Sequence, residues 1–261
     1  MMKTSTKVFI IIGGVILGLA LVSLISGLLI SSITMRSSNG KMSLTDIIIT
    51  ENLEQVKSIE AKIDFGEIDI EYGTDFSIKA NNVSEKILKT SVRANTLHIE
   101  YAESKPLFRF HSNPTNQSPK FTVTVPQDLQ LENFVIKTGA AEIKIDDIKA
   151  ANCEFTFGAG SLKTNNINFK NFDFDCGAGN AEIRGMITGN SDIKSGIGSI
   201  KLDLIGNIDD YGISVDCGIG SVIINGDKYS GIGVNKKNTI GAKNDFRIEC
   251  GTGDIEINIE E

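Results

Sequence analysis

From Phe134 onward, apolar and polar residues alternate on both sides of a recurring pair of small residues. The pairs are Gly139-Ala-Ala141, Gly158-Ala-Gly160, Gly177-Ala-Gly179, Gly196-Ile-Gly198, Gly218-Ile-Gly220 and Gly251-Thr-Gly253. The first four lie 19 residues apart, and intervals of 22 and 33 follow. Three residues before each pair stand Ile136, Phe155, Phe174, Ile193, Val215 and Ile248; two after it stand Ile143, Leu162, Ala181, Ile200, Val222 and Ile255. Positions five before and four after are apolar as well, except Ser191 and Thr164. The residues between them are polar, except Val135 and Ile223. A strict period of two means strands with one buried face; a helix repeats every 3.6 residues and cannot produce it.

Two strands and a glycine corner, repeated at fixed spacing, predict an all-β fold: a parallel β-solenoid with coils of about 19 residues. Each coil pairs with the next, and like residues stack in ladders. Glycine suits the corner because the backbone must turn sharply without a Cβ clash. A third short strand, as at Ile167 and Phe169, fits the remainder of a coil. An antiparallel sandwich does not ordinarily explain a constant spacing with the same corner each time. The interval Asp227 to Asp245 is too long for a turn. It is expected to loop out as a cap or a binding surface, with the strand Asp254 to Ile259 left as the open edge of the stack.

Upstream, alternation continues through Ile63, Phe65, Ile68 and Ile70, and Phe76–Ala80, Thr96–Tyr101 and Lys120–Val125 read as further strands. Thr45 to Gln55 reads as a short helix or strand. All four prolines fall between Pro106 and Pro126, and the polar stretch Ser104–Pro119 holds Phe108, Arg109, Phe110 and His111. Val8 to Ile33 is 26 residues without a charge. As a helix it reaches about 39 Å, enough to cross a ~30 Å hydrocarbon core with tilt. It is longer than the apolar region of a cleaved signal peptide, so an uncleaved anchor is expected. The expected organisation is a cytoplasmic N-terminus over 1–7, a transmembrane helix over 8–33, a tether over 34–58 and an extracytoplasmic solenoid over 59–261.

Charge narrows the partners. The net charge is −7, and Lys3 and Lys7 are the only charged side chains before Met35, so the remainder carries −9. A surface this acidic argues against nucleic acid. Two His and no Trp leave little for a His-based metal or catalytic site. Asn180, Ala181 and Glu182 follow Gly177-Ala-Gly179 in a strand pattern, which is not the strand–turn–helix context of a nucleotide-binding glycine loop. Asp254 follows Gly251-Thr-Gly253, but its equivalents are Ser161, Asn180, Ser199 and Ser221, a poor carboxylate cage for calcium. No metal, cofactor or nucleotide is expected. Cys153, Cys176, Cys217 and Cys250 all have inward parity and read as buried thiols; Cys217 and Cys250 are the pair placed to stack. The acids do not converge as a glycan-cleaving site requires, so no catalytic residues are assigned and no enzyme is expected.

Several motifs together carry a family resemblance. They are Phe65-Gly-Glu-Ile-Asp-Ile70, the strand ending Thr122-Val-Thr-Val-Pro126, the repeated glycine corners, and Cys250-Gly-Thr-Gly-Asp-Ile-Glu-Ile257. From about Ile59 to Glu261 the chain resembles the bacterial "putative adhesin" domain family of unknown function, whose membrane-anchored members include LiaG-type cell-envelope proteins. The resemblance implies a right-handed β-helix-like fold outside the membrane and supplies no catalytic residues. The expected function is a non-enzymatic, membrane-anchored module for envelope binding, adhesion or stress response. The alternative is a regulatory partner of another membrane protein; a glycan-active β-helix enzyme comes third. Candidate partners are the membrane through 8–33, an envelope polymer, or another membrane protein. The candidate contact residues are Phe108, Arg109 and Phe110 in one loop and Tyr229, Lys236 and Lys237 in the other.

Overall fold

The structure is a computed structural model, described here for residues 45–50, 53–102, 118–238 and 242–261. The expected membrane span 8–33 and the loop residues Phe108, Arg109 and Phe110 lie outside the described residues. Among the described residues, fifteen strands form one sheet that winds around a single core.

Three long strands make the regular centre: β7 (Gln130–Asp146), β8 (Lys149–Asn165) and β9 (Ile167–Ile187). They pair in parallel and in register, Ile136 beside Phe155 beside Phe174, and Ile143 beside Leu162 beside Ala181. The solenoid expected from the 19-residue period is therefore present. Every inward position of the repeat is buried except Ile224, which is half-buried, and none of the outward positions is buried. Thr164 and Ser191 point inward despite their polarity, while Val135 and Ile223 stay outward. Strand parity decides the side, and residue type follows it only on average.

Beside the apolar ladders runs an amide ladder. Asn133, Asn152 and Asn171 occupy one column, with Asn152 Nδ2 donating to Asn133 Oδ1 at 3.4 Å and Asn171 Nδ2 donating to Asn152 Oδ1 at 3.0 Å. Ser58 Oγ accepts from Asn133 at one end, and the Asn190 amide donates to Asn171 Oδ1 at the other. Stacked amides satisfy one another at the coil repeat, which ties neighbouring coils in register.

Toward the N-terminus, β2 (Ser58–Gly73) lies beside β7. Its other edge meets two strands, β5 (Thr96–Tyr101) along its first half and β6 (Lys120–Pro126) along its second. These two are the legs of one outer coil. Antiparallel strands close this end: β4 (Leu88–Arg93) on β5, β3 (Ser77–Val83) on β6, and β1 (Thr45–Ile49) on β3. The expected tether 34–58 is thus partly structural. Ile47, Ile49, Leu53 and Val56 are buried in the core, because the outer coil needs an apolar lid.

The other end departs from chain order. β10 (Asn190–Ile197) and β11 (Ile200–Ile205) form the coil after β9. The next coil in space is β14 (Asn244–Thr252) with β15 (Ile255–Glu260), and β12 (Tyr211–Ile224) lies beyond it. The strand 254–259, expected as the open edge, is instead flanked by β11 and β12. A local reason is visible: the Gly189 amide donates to Asn244 Oδ1 at 2.9 Å, and large Phe246 stacks on small Ser191. The interval expected to loop out is strand β13 (Asp227–Asn238), antiparallel to β12 along its whole length. It covers the backbone groups that β12 would otherwise leave unpaired, which is the cap reading.

Candidate functional site

The corner glycines form two columns. Gly158, Gly177, Gly196, Gly251 and Gly218 stack in that spatial order, and so do Gly160, Gly179, Gly198, Gly253 and Gly220. At Gly179 φ is +152°, and a Cβ would overlap the carbonyl oxygen of Gly160 in the coil below. The corner thus demands glycine twice over, for its dihedral and for the approach of the next backbone. Phe65-Gly66 belongs to the same columns, opposite Ala140-Ala141, with φ of +135° at Gly66. Sequence reading misses this corner because Asp64 stands where the others have their first glycine.

Between the columns one side chain per coil points to solvent. The series in space is Phe65, Ala140, Ala159, Ala178, Ile197, Thr252 and Ile219, and all are exposed. Ile197 is 64% exposed, Ile219 57% and Phe65 38%. Seven coils about 4.8 Å apart make this apolar ridge about 29 Å long. Glycines on both sides keep it narrow, with a low alanine stretch between bulky ends. β5 ends at Tyr101 opposite Ile63, and β6 begins at Lys120 opposite Glu67, on either side of Phe65.

The flat faces are polar, and part of their charge is paired. Across the second legs runs a chain of ion pairs: Lys163 to Glu182 at 3.2 Å, Glu182 to Arg184 at 2.6 Å, Arg184 to Asp203 at 3.1 Å, and Lys201 to Glu256 at 2.9 Å. On the first legs the charges match less well. Glu154, Asp173 and Asp192 fall in one column. Burial, then the Asp192 and Glu154 carboxylates, push the Asp173 carboxyl above the usual range.

All four cysteines are buried and free. Cys217 and Cys250 are register partners. Cys217 Sγ donates to the carbonyl of Gly253 and Cys250 Sγ to that of Gly198, each at 3.4 Å. Burial, then the neighbouring Cys217, raise the Cys250 thiol to about 11. Among the described residues no three His, Cys, Asp or Glu side chains gather to hold a metal ion. In β13, Tyr229 is half-buried, packs against the core and pairs opposite Val222; the backbones of Lys236 and Lys237 pair opposite Val215 and Ser214.

A single-sheet parallel solenoid with glycine corners and antiparallel caps defines the class of protein. The chain belongs to the Toastrack DUF4097 family, whose model matches residues 56–260. A comparison with curated proteins finds no match. Among solved structures, a "putative cell adhesion protein" from Clostridium sporogenes is similar at 16% identity, covering 84% of this chain and 100% of that one, with a TM-score of 0.43. A "putative adhesin" from Bacteroides fragilis is 14% identical over 83% of this chain and 97% of that one, at 0.48. A "putative lipid binding protein" from Parabacteroides distasonis is 11% identical over 82% and 95%, at 0.26.

Proposed function

We propose that the chain is a non-enzymatic, membrane-anchored cell-envelope module that binds an extracytoplasmic polymer along its corner ridge. The observation that carries this reading is the ridge itself. Apolar side chains that a soluble surface would hide are held outward in a line by glycine corners, and Phe65, Ile197 and Ile219 are three of the six large apolar side chains exposed among the described residues. A row about 29 Å long and one side chain wide suits an extended chain better than a globular partner, which needs roughly 800 Å² on each side. The uncharged run Val8–Ile33 supports the anchor, and the long C-terminal domain supports an N-inside topology.

The test uses the double variant Ile197→Asp, Ile219→Asp in the full-length protein. Both side chains are exposed, so the melting temperature should hold, while sedimentation with isolated envelope polymer should be lost. Unchanged sedimentation sinks the ridge reading. If the ridge variant is silent but removing residues 1–35 abolishes co-purification of a second membrane protein, the regulatory alternative takes its place. Protease added to intact cells checks topology: everything after Met35 should be degraded, and protection of Ser104–Pro119 overturns the N-inside assignment.

A further inference from the structure

Among the described residues, three strands have a single partner: β1, β4 and β13. Such a strand leaves a row of backbone N–H and C=O groups unpaired, a template for another strand. Two of the three carry the usual deterrent, cationic side chains. β4 has Lys89 and Arg93, both exposed, and β13 has Lys228, Lys236 and Lys237. β1 has none. Its sequence, Thr45-Asp-Ile-Ile-Ile-Thr50, is β-branched at every position but one, the composition that pairs most readily. The exception is turned toward the covered side, where Asp46 Oδ1 accepts from the Asn82 amide at 3.4 Å. Ile47 and Ile49 are buried, but Ile48 is 47% exposed.

The strand's own sequence indicates what fits it. When two copies of β1 meet antiparallel, parity must match, so that Ile47 and Ile49 of both stay on the core face. Centring the pair on Ile48 sets Ile48 against Ile48, Ile47 against Ile49 and Asp46 against Thr50. Every residue then faces a β-branched one, and no two charges meet. Centring on Ile47 sets each carboxylate against an Ile48, and centring on Asp46 sets the two carboxylates against each other, which is destabilising. Position in the chain favours the same partner. Only eleven residues separate Ile33, the end of the uncharged run, from Thr45. Two anchored copies therefore present β1 at a similar height above one membrane. A stable interface takes roughly 20–30 residues a side, more than one strand offers. Confinement in a membrane makes up the difference by raising effective concentration.

We propose that β1 pairs antiparallel with β1 of a second copy of this chain, centred on Ile48, so that two anchored molecules share one continuous sheet. The proposal rests on the anchor in the reading above and not on the ridge.

The test is cysteine cross-linking of the full-length chain in membranes, with copper–phenanthroline as oxidant. The four native cysteines are buried, so an introduced thiol reports alone. Ile48→Cys should give a covalent dimer that a thiol reductant reverses. Lys89→Cys, exposed on β4, should stay monomeric; equal cross-linking there means random collision and overturns the proposal. Register is read by co-expressing Asp46→Cys and Thr50→Cys copies with different tags. They should join to each other at least tenfold more than Asp46→Cys joins to itself, and equal yields overturn the register. Adding Ile48→Lys to both copies should abolish that product while the melting temperature holds, because the side chain is exposed; an undiminished product overturns the proposal. So does an Ile48→Cys chain that stays monomeric, whether its thiol is shielded from maleimide by another segment of the same chain or joins a protein of different mass. An alkaline wash of the membranes reports the anchor separately. If the chain washes off, the anchor fails, and the Ile48→Cys result in the soluble fraction still decides the pairing.

Discussion

The middle of the solenoid and its two ends are built from the same kind of strand, yet they obey different rules. In β7, β8 and β9 each coil follows the last in chain order, in parallel, with every column in register. At the N-terminal end the later coil β5–β6 lies outside the earlier strand β2. At the C-terminal end the later coil β14–β15 lies inside the earlier strand β12. Both ends are then closed by antiparallel strands. The contrast shows that repetition specifies the surface a coil offers, not which coil takes it. Termination needs an element of another kind. β13 supplies it at one end, and β1, β3 and β4 at the other, because an uncovered parallel edge recruits further strands.

The comparison can be tested first at its glycines. Gly179→Ala in the centre should abolish the cooperative thermal transition, since a Cβ there meets the carbonyl of Gly160. Gly226→Ala in the β12–β13 turn, where φ is +88° and nothing lies within 4 Å of the added Cβ, should cost only about 1–2 kcal/mol. Similar losses at both would erase the distinction between stacked corners and a hairpin turn.

A smaller effect is expected in the ladder. Ile200 is 1% exposed between Ala181 and Ile255, so Ile200→Ala should lower stability by about 2–5 kcal/mol in denaturant titration. Lys201→Asp, one residue on, should cost far less, and the cost should shrink in high salt, because it only sets like charges beside Glu256 and Asp203.

The cap predicts a change of state more than of stability. Replacing Asp227–Asn238 by a short Gly-Ser linker should leave the central transition in place but expose the edge of β12, and light scattering should rise with concentration. A monomer of unchanged solubility would deny β13 its role as a cap.

The smallest effect concerns protons. The Asp173 carboxyl is raised in the folded state, so its proton favours the fold. That contribution is present in full below the ordinary carboxylate range and lost as pH rises through the raised value. Asp173→Asn should therefore raise the melting temperature at pH 7 and confer no advantage at the acidic end. An equal gain at both pH values would point to some cause other than its charge.

Much of the centre can be read directly from residues. Parity along Phe134, Ile136 and the positions after each corner places every ladder on its side, and 19-residue spacing sets the coil. Asn133, Asn152 and Asn171 stand at that same spacing, so the amide ladder was legible as well, but attention to apolar positions misses it. Order at the C-terminal end was not legible. The coil at Gly196 presents the same apolar columns to any partner, and backbone hydrogen bonds do not distinguish Val215 from Ile248. What separates them is a contact made only in three dimensions, Asn244 against the Gly189 amide. The ridge was half-legible: Ile197 and Ile219 stand in plain view between glycines, but nothing local says that Phe65 joins their line.

The placement of β14–β15 between β11 and β12 also sets a timetable. A ribosome makes residues 211–224 before residues 244–260, so β12 leaves the ribosome with its seat not yet made. Of its three partners in the finished fold, only β13 is made before the intervening coil arrives. A stop codon shortly before Asn244 would not trim the outermost layer of the stack; it would remove the layer beneath, and strand the hairpin that should lie on top of it.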